Sequence, residues 1–359
     1  MDVYSAVVGA RHSRVQQTRA MEHVVQKIRW GMIGIGSVAE HKSGPAFARA
    51  AGGTLSAVAS RRADAAADYA RRHAVARAFA TPAALIASAQ IDAVYIATPP
   101  SSHAALALDV ARAGKPCCIE KPMAVHRADA EAMRDVYAAA GLPLFVSYYR
   151  RSLPRFRQVG TWIRDGRIGP VREVAWKLQR TPPTVPAAQN WRIDAQNAPG
   201  GLFEDLACHG LDLFDLWLGP IADVDHARLS ATRNNAKVPE RVQARWRHGD
   251  GIRGHGDWDF AAAERSDTVV ITGETGTIHL SMFDEAPIEL RTPAGTVLRH
   301  VPHPVPIQLP HVEAMNAHLC GGPEHPSTAD SAIRTARATD RILRGPATEA
   351  VGVVLAAPG

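Results

Sequence analysis

The chain predicts two architectures in series: a doubly wound parallel α/β sheet, then an α+β unit with an open, mostly antiparallel sheet. Three observations lead there. Residues 28–146 alternate short apolar runs with amphipathic stretches that stop at Gly, the signature of a parallel sheet covered on both faces. Beyond about residue 165 the apolar runs lengthen and alternate, as strands with one wet face do. With 359 residues the chain also exceeds what one core usually spans.

The first unit reads strand 28–34, helix 37–51 closed by Gly52-Gly53, strand 54–60, helix 63–73, a two-residue strand at Ala78-Phe79 and helix 82–88. It continues with strand 92–98, helix 102–113 stopped by Gly114, strand 117–119, helix 127–140 stopped by Gly141, and strand 143–148. A helix over 154–165 leads into strands at 171–179, 224–231, 242–247, 252–260, 268–272 and 277–281. Gly273-Glu274-Thr275-Gly276 is a tight turn between the last two. Helices near 309–319 and 328–343 close the chain. Residues 1–27 read as an unstructured N-terminal extension with Met21 a candidate start, and 346–359 as a tail. The division expected is therefore 28–148 and 149–345.

The net charge is +6, and Arg11, Arg14, Arg19, Lys27 and Arg29 against Asp2 and Glu22 supply much of it from the first 29 residues. The rest lacks a dense basic stripe interleaved with aromatics, which argues against nucleic acid. No apolar run has the length of a membrane span. Cys117, Cys118, Cys208 and Cys320 show no CxxC spacing, so free thiols in a reducing cytoplasm are expected. His300, His303 and His311 are too loosely spaced around prolines to argue for a metal.

Gly34-Ile35-Gly36-Ser37-Val38-Ala39 follows the first strand and opens the first helix. The first Gly allows a tight turn, the second lets backbone approach a pyrophosphate, and the helix N-terminus offers free N–H groups. Ala at the third position still permits close helix–strand contact. Gly34, Gly36, Ser37 and Val38 thus read as the floor of a Rossmann dinucleotide site. Such sites choose NAD with an acid at the end of the second strand. Here Ser60-Arg61-Arg62 stands there with no acid before Asp64, which suits a 2′-phosphate and favours NADP over NAD.

Residues 203–218 form a helix that is apolar almost all round, hence buried. Asp205, His209 and Asp212, at i, i+4 and i+7, fall on one line of it. Charge on a buried helix needs partners or a wet cavity. A carboxylate beside an imidazole is also a way to set it for proton transfer.

Gly114-Lys115-Pro116 leads into Cys117-Cys118-Ile119-Glu120-Lys121-Pro122. With the GxGxxA turn before it and GGxxxDxxxHxxD after it, the chain resembles the Gfo/Idh/MocA family of NAD(P)-dependent oxidoreductases over roughly residues 28–345. Ala97-Thr98-Pro99-Pro100-Ser101-Ser102-His103, Tyr148-Tyr149-Arg150-Arg151 and Gln189-Asn190-Trp191-Arg192 carry the likeness further. The branch it resembles is that of sugar and dihydrodiol dehydrogenases and anhydrofructose-type reductases. The resemblance implies that Lys121 reaches the substrate oxygen, with Asp205 and His209 beside it. It places Glu120 next to the nicotinamide ribose and Thr98, Pro100 and His103 along the cofactor cleft. Trp191 and Arg192 reach over the cofactor from the second unit, and Tyr149 belongs with the substrate.

The chemistry is coherent in its own terms. Hydride transfer to a carbonyl leaves charge growing on oxygen; Lys121 can stabilise it, His209 deliver the proton, and Asp205 orient the imidazole. The function expected is an NADP-dependent oxidoreductase acting on a sugar, polyol or related cyclic hydroxy or carbonyl compound. A glycosidase that uses a nicotinamide cofactor transiently, or a non-catalytic dinucleotide-binding regulator, stays open on the same scaffold. The open second sheet leaves a face to cover, so a homodimer or homotetramer is expected.

Overall fold

A computed structural model describes residues 27–182, 193–194, 198–231 and 238–345. The first sheet is built from β1 (Ile28–Ile33), β2 (Gly53–Ala59), β3 (Arg77–Phe79), β4 (Ala93–Ile96), β5 (Cys117–Ile119) and β6 (Leu144–Val146). Its order is β3-β2-β1-β4-β5-β6 and every pairing is parallel. The strand order reverses between β1 and β4, so their C-terminal ends open a crevice at the switch point. Helices α2 (Ala63–Arg72), α3 (Pro82–Ala87), α4 (His103–Arg112) and α5 (Arg127–Ala139) make the crossovers.

The first crossover departs from a plain helix. It holds a π-helical turn over Ala39–Ser43 before α1 (Gly44–Arg49). Tyr69 of α2 supplies a cause: its hydroxyl donates to the Ala39 carbonyl at 3.2 Å, which the Gly44 N–H also reaches.

The second sheet contains β7 (Val171–Gln179), β8 (Ile221–Ser230), β9 (Arg241–His248), β10 (Arg253–Asp259), β11 (Ser266–Gly273), β12 (Thr277–Leu280), β13 (Ile288–Thr292) and β14 (Gly295–Arg299). Its order is β14-β13-β12-β11-β7-β10-β9-β8, antiparallel except where β7 and β10 run parallel. The turn expected at residues 273–276 is present, with the Gly273 N–H donating to the Gly276 carbonyl at 2.9 Å. The hairpin of β13 and β14 lies outside the expected strands. β14 is exposed at every residue, so it has no inward apolar set to give a period-2 signal.

Two helices cover the inner face of this sheet: α6 (Pro154–Arg164) and α7 (Gly201–Leu218). Phe203, Ala207, Leu211 and Phe214 of α7 pack with Trp176, Trp246 and Trp258. Gly210 is required at the contact, because a Cβ there would stand 2.3 Å from the Trp176 ring. The last helices, α8 (Leu309–Leu319) and α9 (Ala329–Arg344), return to the first sheet. Val312 and Met315 join the core on one of its faces, and Ala332 and Ile333 the core on the other. Asn316 accepts from Trp30 Nε1 at 2.8 Å and donates to the Ala51 carbonyl at 2.8 Å. This return fixes α7, and whatever it carries, against the C-terminal ends of β5 and β6.

Candidate active site between the two sheets

At the β1–α1 turn Gly34 has φ +102, and a Cβ there would lie 2.8 Å from the Ala97 carbonyl. The turn is therefore drawn against the end of β4. Gly36 is exposed, with nothing within 4 Å of where its Cβ would stand. Ser37 is exposed beside it, and Val38 turns partly inward. A close turn with an open, N–H-bearing mouth fits a pyrophosphate. Arg61 and Arg62 are exposed after β2, and the Ser60 hydroxyl accepts from the Arg62 N–H at 3.3 Å.

Beyond β4, the Thr98 hydroxyl accepts from Ser102 at 2.7 Å, and Pro100 is buried in the 3₁₀ turn Pro100–Ser102. His103 does not face the cleft. It was expected to line the cleft, but it is 0% exposed, with ring nitrogens 2.8 Å from the Thr98 carbonyl and 3.1 Å from the Pro122 carbonyl. It braces the two loops that form the cleft wall from behind. Burial lowers its pKa, so it is held as neutral imidazole. Trp191 and Arg192 lie outside the described residues.

Glu120 and Lys121 leave β5 in opposite environments. Glu120 accepts from the Tyr95 hydroxyl at 2.6 Å and from Gln308 Nε2 at 3.2 Å. Lys121 Nζ donates to the Asp205 carboxylate at 2.5 Å and to the Asp205 carbonyl at 2.7 Å. Burial alone lowers the Lys121 pKa, but the Asp205 charge and hydrogen bond outweigh it and the net shift is upward. The ammonium is thus protonated across the neutral range.

The pairing expected between Asp205 and His209 is replaced by this one. Among the described residues no hydrogen bond joins them, and His209 Nδ1 is buried without a partner. The i, i+4 spacing puts both side chains on one face of α7, yet the nearer unlike charge is Lys121, and it takes the carboxylate. His209 is instead ringed by Tyr148 at 6.2 Å, Tyr149 at 5.8 Å and Phe283 at 6.2 Å between centroids. Burial first, then the charges of Arg150, Lys121 and Lys42, hold its pKa well below the usual imidazole value.

Asp212, third on the line, belongs to a buried network. Arg151 Nε donates to it at 2.8 Å and Arg151 Nη2 to Asp215 at 3.1 Å, while Thr335 donates to Asp212 and Arg334 to Asp215. Gln308, Phe283 and Arg150 escaped the sequence reading as site residues. Phe283 follows the last strand expected there, where no motif marks it. Burial pushes the Cys117 thiol up to about 12, consistent with an inert core residue. Among the described residues no cluster of His, Cys, Asp or Glu could hold a metal ion, and no helix is long and apolar enough to cross a membrane.

The comparisons with known proteins agree with this fold. The oxidoreductase family model described as a Gfo/Idh/MocA NAD-binding Rossmann fold matches residues 28–148, and the Gfo/Idh/MocA C-terminal domain model matches 156–279. Oxidoreductase P35 of Formosa agariphila is 32% identical over 317 residues, 88% of this chain and 98% of its own. A 1,5-anhydro-D-fructose reductase of Ensifer adhaerens is 31% identical over 51% of this chain and 54% of its own. Among solved structures, an oxidoreductase from Agrobacterium radiobacter in complex with NAD+, L-tartaric acid and magnesium superposes with TM-score 0.79 at 22% identity, covering 88% of this chain and 94% of its own. The chain belongs to the Gfo/Idh/MocA family of NAD(P)-binding oxidoreductases.

Proposed function

We propose that the protein transfers hydride between NADP and a sugar, polyol or related cyclic hydroxy or carbonyl compound. The observation that carries this reading is the ion pair of Lys121, from the end of the first sheet, with Asp205, one turn before His209 on the buried helix of the second unit. Relatives named for 1,5-anhydro-D-fructose and for inositol support the substrate class. The units acting together are residues 28–148 for the dinucleotide and 149–345 for the substrate.

The nicotinamide supplies or accepts the hydride when bound. The chain's own residues manage the charge that results on the substrate oxygen. Lys121, kept cationic by Asp205, stabilises that oxygen and holds the proton that moves to it on reduction. His209, kept neutral by burial, is suited to positioning the hydroxyl or carbonyl by a hydrogen bond. Delivery of the proton therefore falls to Lys121 rather than to His209. Glu120, held by Tyr95 and Gln308, stands at the edge where the ribose would lie. Gly34, Gly36, Ser37 and Val38 would hold the pyrophosphate, Ser60 and Arg61 the 2′-phosphate, and Thr98 and Pro100 the cleft wall.

The outer face of the second sheet carries Glu173, Lys177, Arg245, Arg253, His255 and Asp257, both signs interspersed. It is the face through which copies of the chain would pair as a dimer or tetramer, and light scattering at micromolar concentration would read a monomer if it does not.

Titration with NADPH and NADH, followed by tryptophan quenching, tests the cofactor reading. Tight NADPH and weak NADH binding is the expected result. Equal binding removes the NADP preference, and binding of neither by folded, cofactor-free protein removes the enzyme reading.

A further inference from the structure

Arg150 and Arg151 are neighbours in the 3₁₀ turn Tyr149–Ser152, yet their surroundings are opposite. Arg151 is met by two carboxylates, Asp212 and Asp215. Arg150 is 7% exposed and forms no ion pair among the described residues. Its Nε donates to the Met282 carbonyl at 3.3 Å and its Nη1 to the Tyr149 hydroxyl at 3.1 Å. A guanidinium has about five N–H donors, so most of its capacity stays open.

Arg180, just past β7, stands over the same aromatic ring. The two guanidinium carbons lie 4.7 Å (Arg150) and 4.9 Å (Arg180) from the Phe283 centroid. Arg180 likewise forms no ion pair among the described residues, and its Nε is buried without a partner; the carboxylates that act on it from further off, Asp267 and Asp284, are already engaged, by Trp176 and Ser281 and by Arg265. The internal segments outside the described residues, 183–192, 195–197 and 232–237, contain no Asp or Glu that could supply the missing charge. Arg155, fully buried, also forms no ion pair among the described residues and leaves Nε without a partner, but both its Nη atoms donate to carbonyls, of Ala286 and Ser281, and so secure the loop that carries Phe283.

Burying a guanidinium without a counter-charge is costly, and two of them on one ring also repel. Such cations are stabilised when an anion reaches them. The place is adjacent to the reacting centre, because Tyr149 and Phe283, the rings under Arg150, are the rings that flank His209.

We propose that Arg150 and Arg180 form an anion subsite beside His209, and that the natural substrate is a sugar-like compound carrying a carboxylate or phosphate group that these guanidiniums bind. The proposal rests on the oxidoreductase reading above. Both cations stand on the Phe283 ring, and the anion fixes which carbon of the sugar faces Lys121 and His209.

The test compares kcat/KM for matched compounds: D-glucose, D-glucuronate and D-glucose 6-phosphate, and the corresponding pentose set. A charge-assisted contact of this kind predicts that an anionic member exceeds its neutral partner by about 10- to 100-fold. Which anionic member leads separates carboxylate from phosphate. In Arg180→Gln, which changes the less buried of the pair, that ratio collapses while Arg180→Lys restores part of it. Neutral members turning over as well as the anionic ones would overturn the proposal. So would equal loss of NADPH affinity in Arg150→Gln and Arg180→Gln, which would assign the cations to the dinucleotide. If no compound turns over, the sugar reading falls while the subsite is judged by calorimetry with sulfate and D-glucuronate. Binding by wild type that both Gln variants lose upholds it; no binding by wild type overturns it.

Discussion

Lys121 and Asp205 meet at 2.5 Å across the gap between the two sheets, one from the end of β5 and the other from the first turns of α7. Each removes the other's penalty for burial. On the proposed function the pair is a source of catalytic charge as well as a contact that ties the end of β5 to α7.

Lys121→Ala is expected to lower kcat by about 10²- to 10⁴-fold, the usual worth of acid–base assistance, with NADPH affinity retained. Asp205→Asn is the more diagnostic change. Without the opposing charge, burial prevails and the Lys121 pKa falls. The alkaline limb of kcat for carbonyl reduction then moves to lower pH. A pH profile identical to wild type would deny Lys121 the proton.

Arg61→Ala should shift the ratio of NADPH to NADH affinity toward NADH by about tenfold or more, since a charge-assisted phosphate contact is worth about 1.5–3 kcal/mol. Fluorescence titration of both cofactors reads it. An unchanged ratio would return Arg61 to the role of a solvated residue ahead of α2.

Two buried groups predict opposite slopes of stability with pH. His325 is held at about 4, below the usual imidazole value, mainly by burial. The unfolded chain binds a proton that the fold does not, so this part of the stability is full above about 6.5 and is lost as pH falls toward 4. Glu204 is raised to about 7, again mainly by burial. The fold there keeps a proton the unfolded chain releases, so its contribution is full below about 4.3 and lost as pH rises through 7. In urea unfolding, Glu204→Gln should therefore be more stable relative to wild type at pH 8 than at pH 5. His325→Gln should lose less stability than wild type between pH 7 and pH 5. Parallel pH curves for variant and wild type would refute either assignment.

Arg151→Met leaves Asp212 and Asp215 buried beside a single partly exposed cation, Arg334. Breaking a buried ion network by removing one partner costs about 3–5 kcal/mol. A urea midpoint within error of wild type would show that the network contributes nothing net.

Much of this site could be read from the chain because its parts are local. The β1 turn, the end of β5 and one helix face each carry their own spacing rule. Periodicity correctly put Asp205 and His209 on one face of α7, but it does not say what the face meets. Asp205 found Lys121, 84 residues away. The Arg150–Met282 and Gln308–Glu120 hydrogen bonds span 132 and 188 residues, and no local pattern announces such pairs. His103 shows the same limit in reverse. Its motif placed it near the cleft, while the side on which its ring lies was decided by the Pro122 carbonyl. The β14 strand went unseen because an exposed edge has no periodicity to reveal.

The turn Tyr149–Ser152 gives two adjacent arginines different freedoms under selection. Position 151 is tied to the fold through Asp212 and Asp215, so a lineage that changes it risks losing the protein. Position 150 pairs with no carboxylate among the described residues, so under the proposed anion subsite its replacement alters what the cleft admits. Under that proposal, one step along the turn separates heritable change in diet from heritable change in viability.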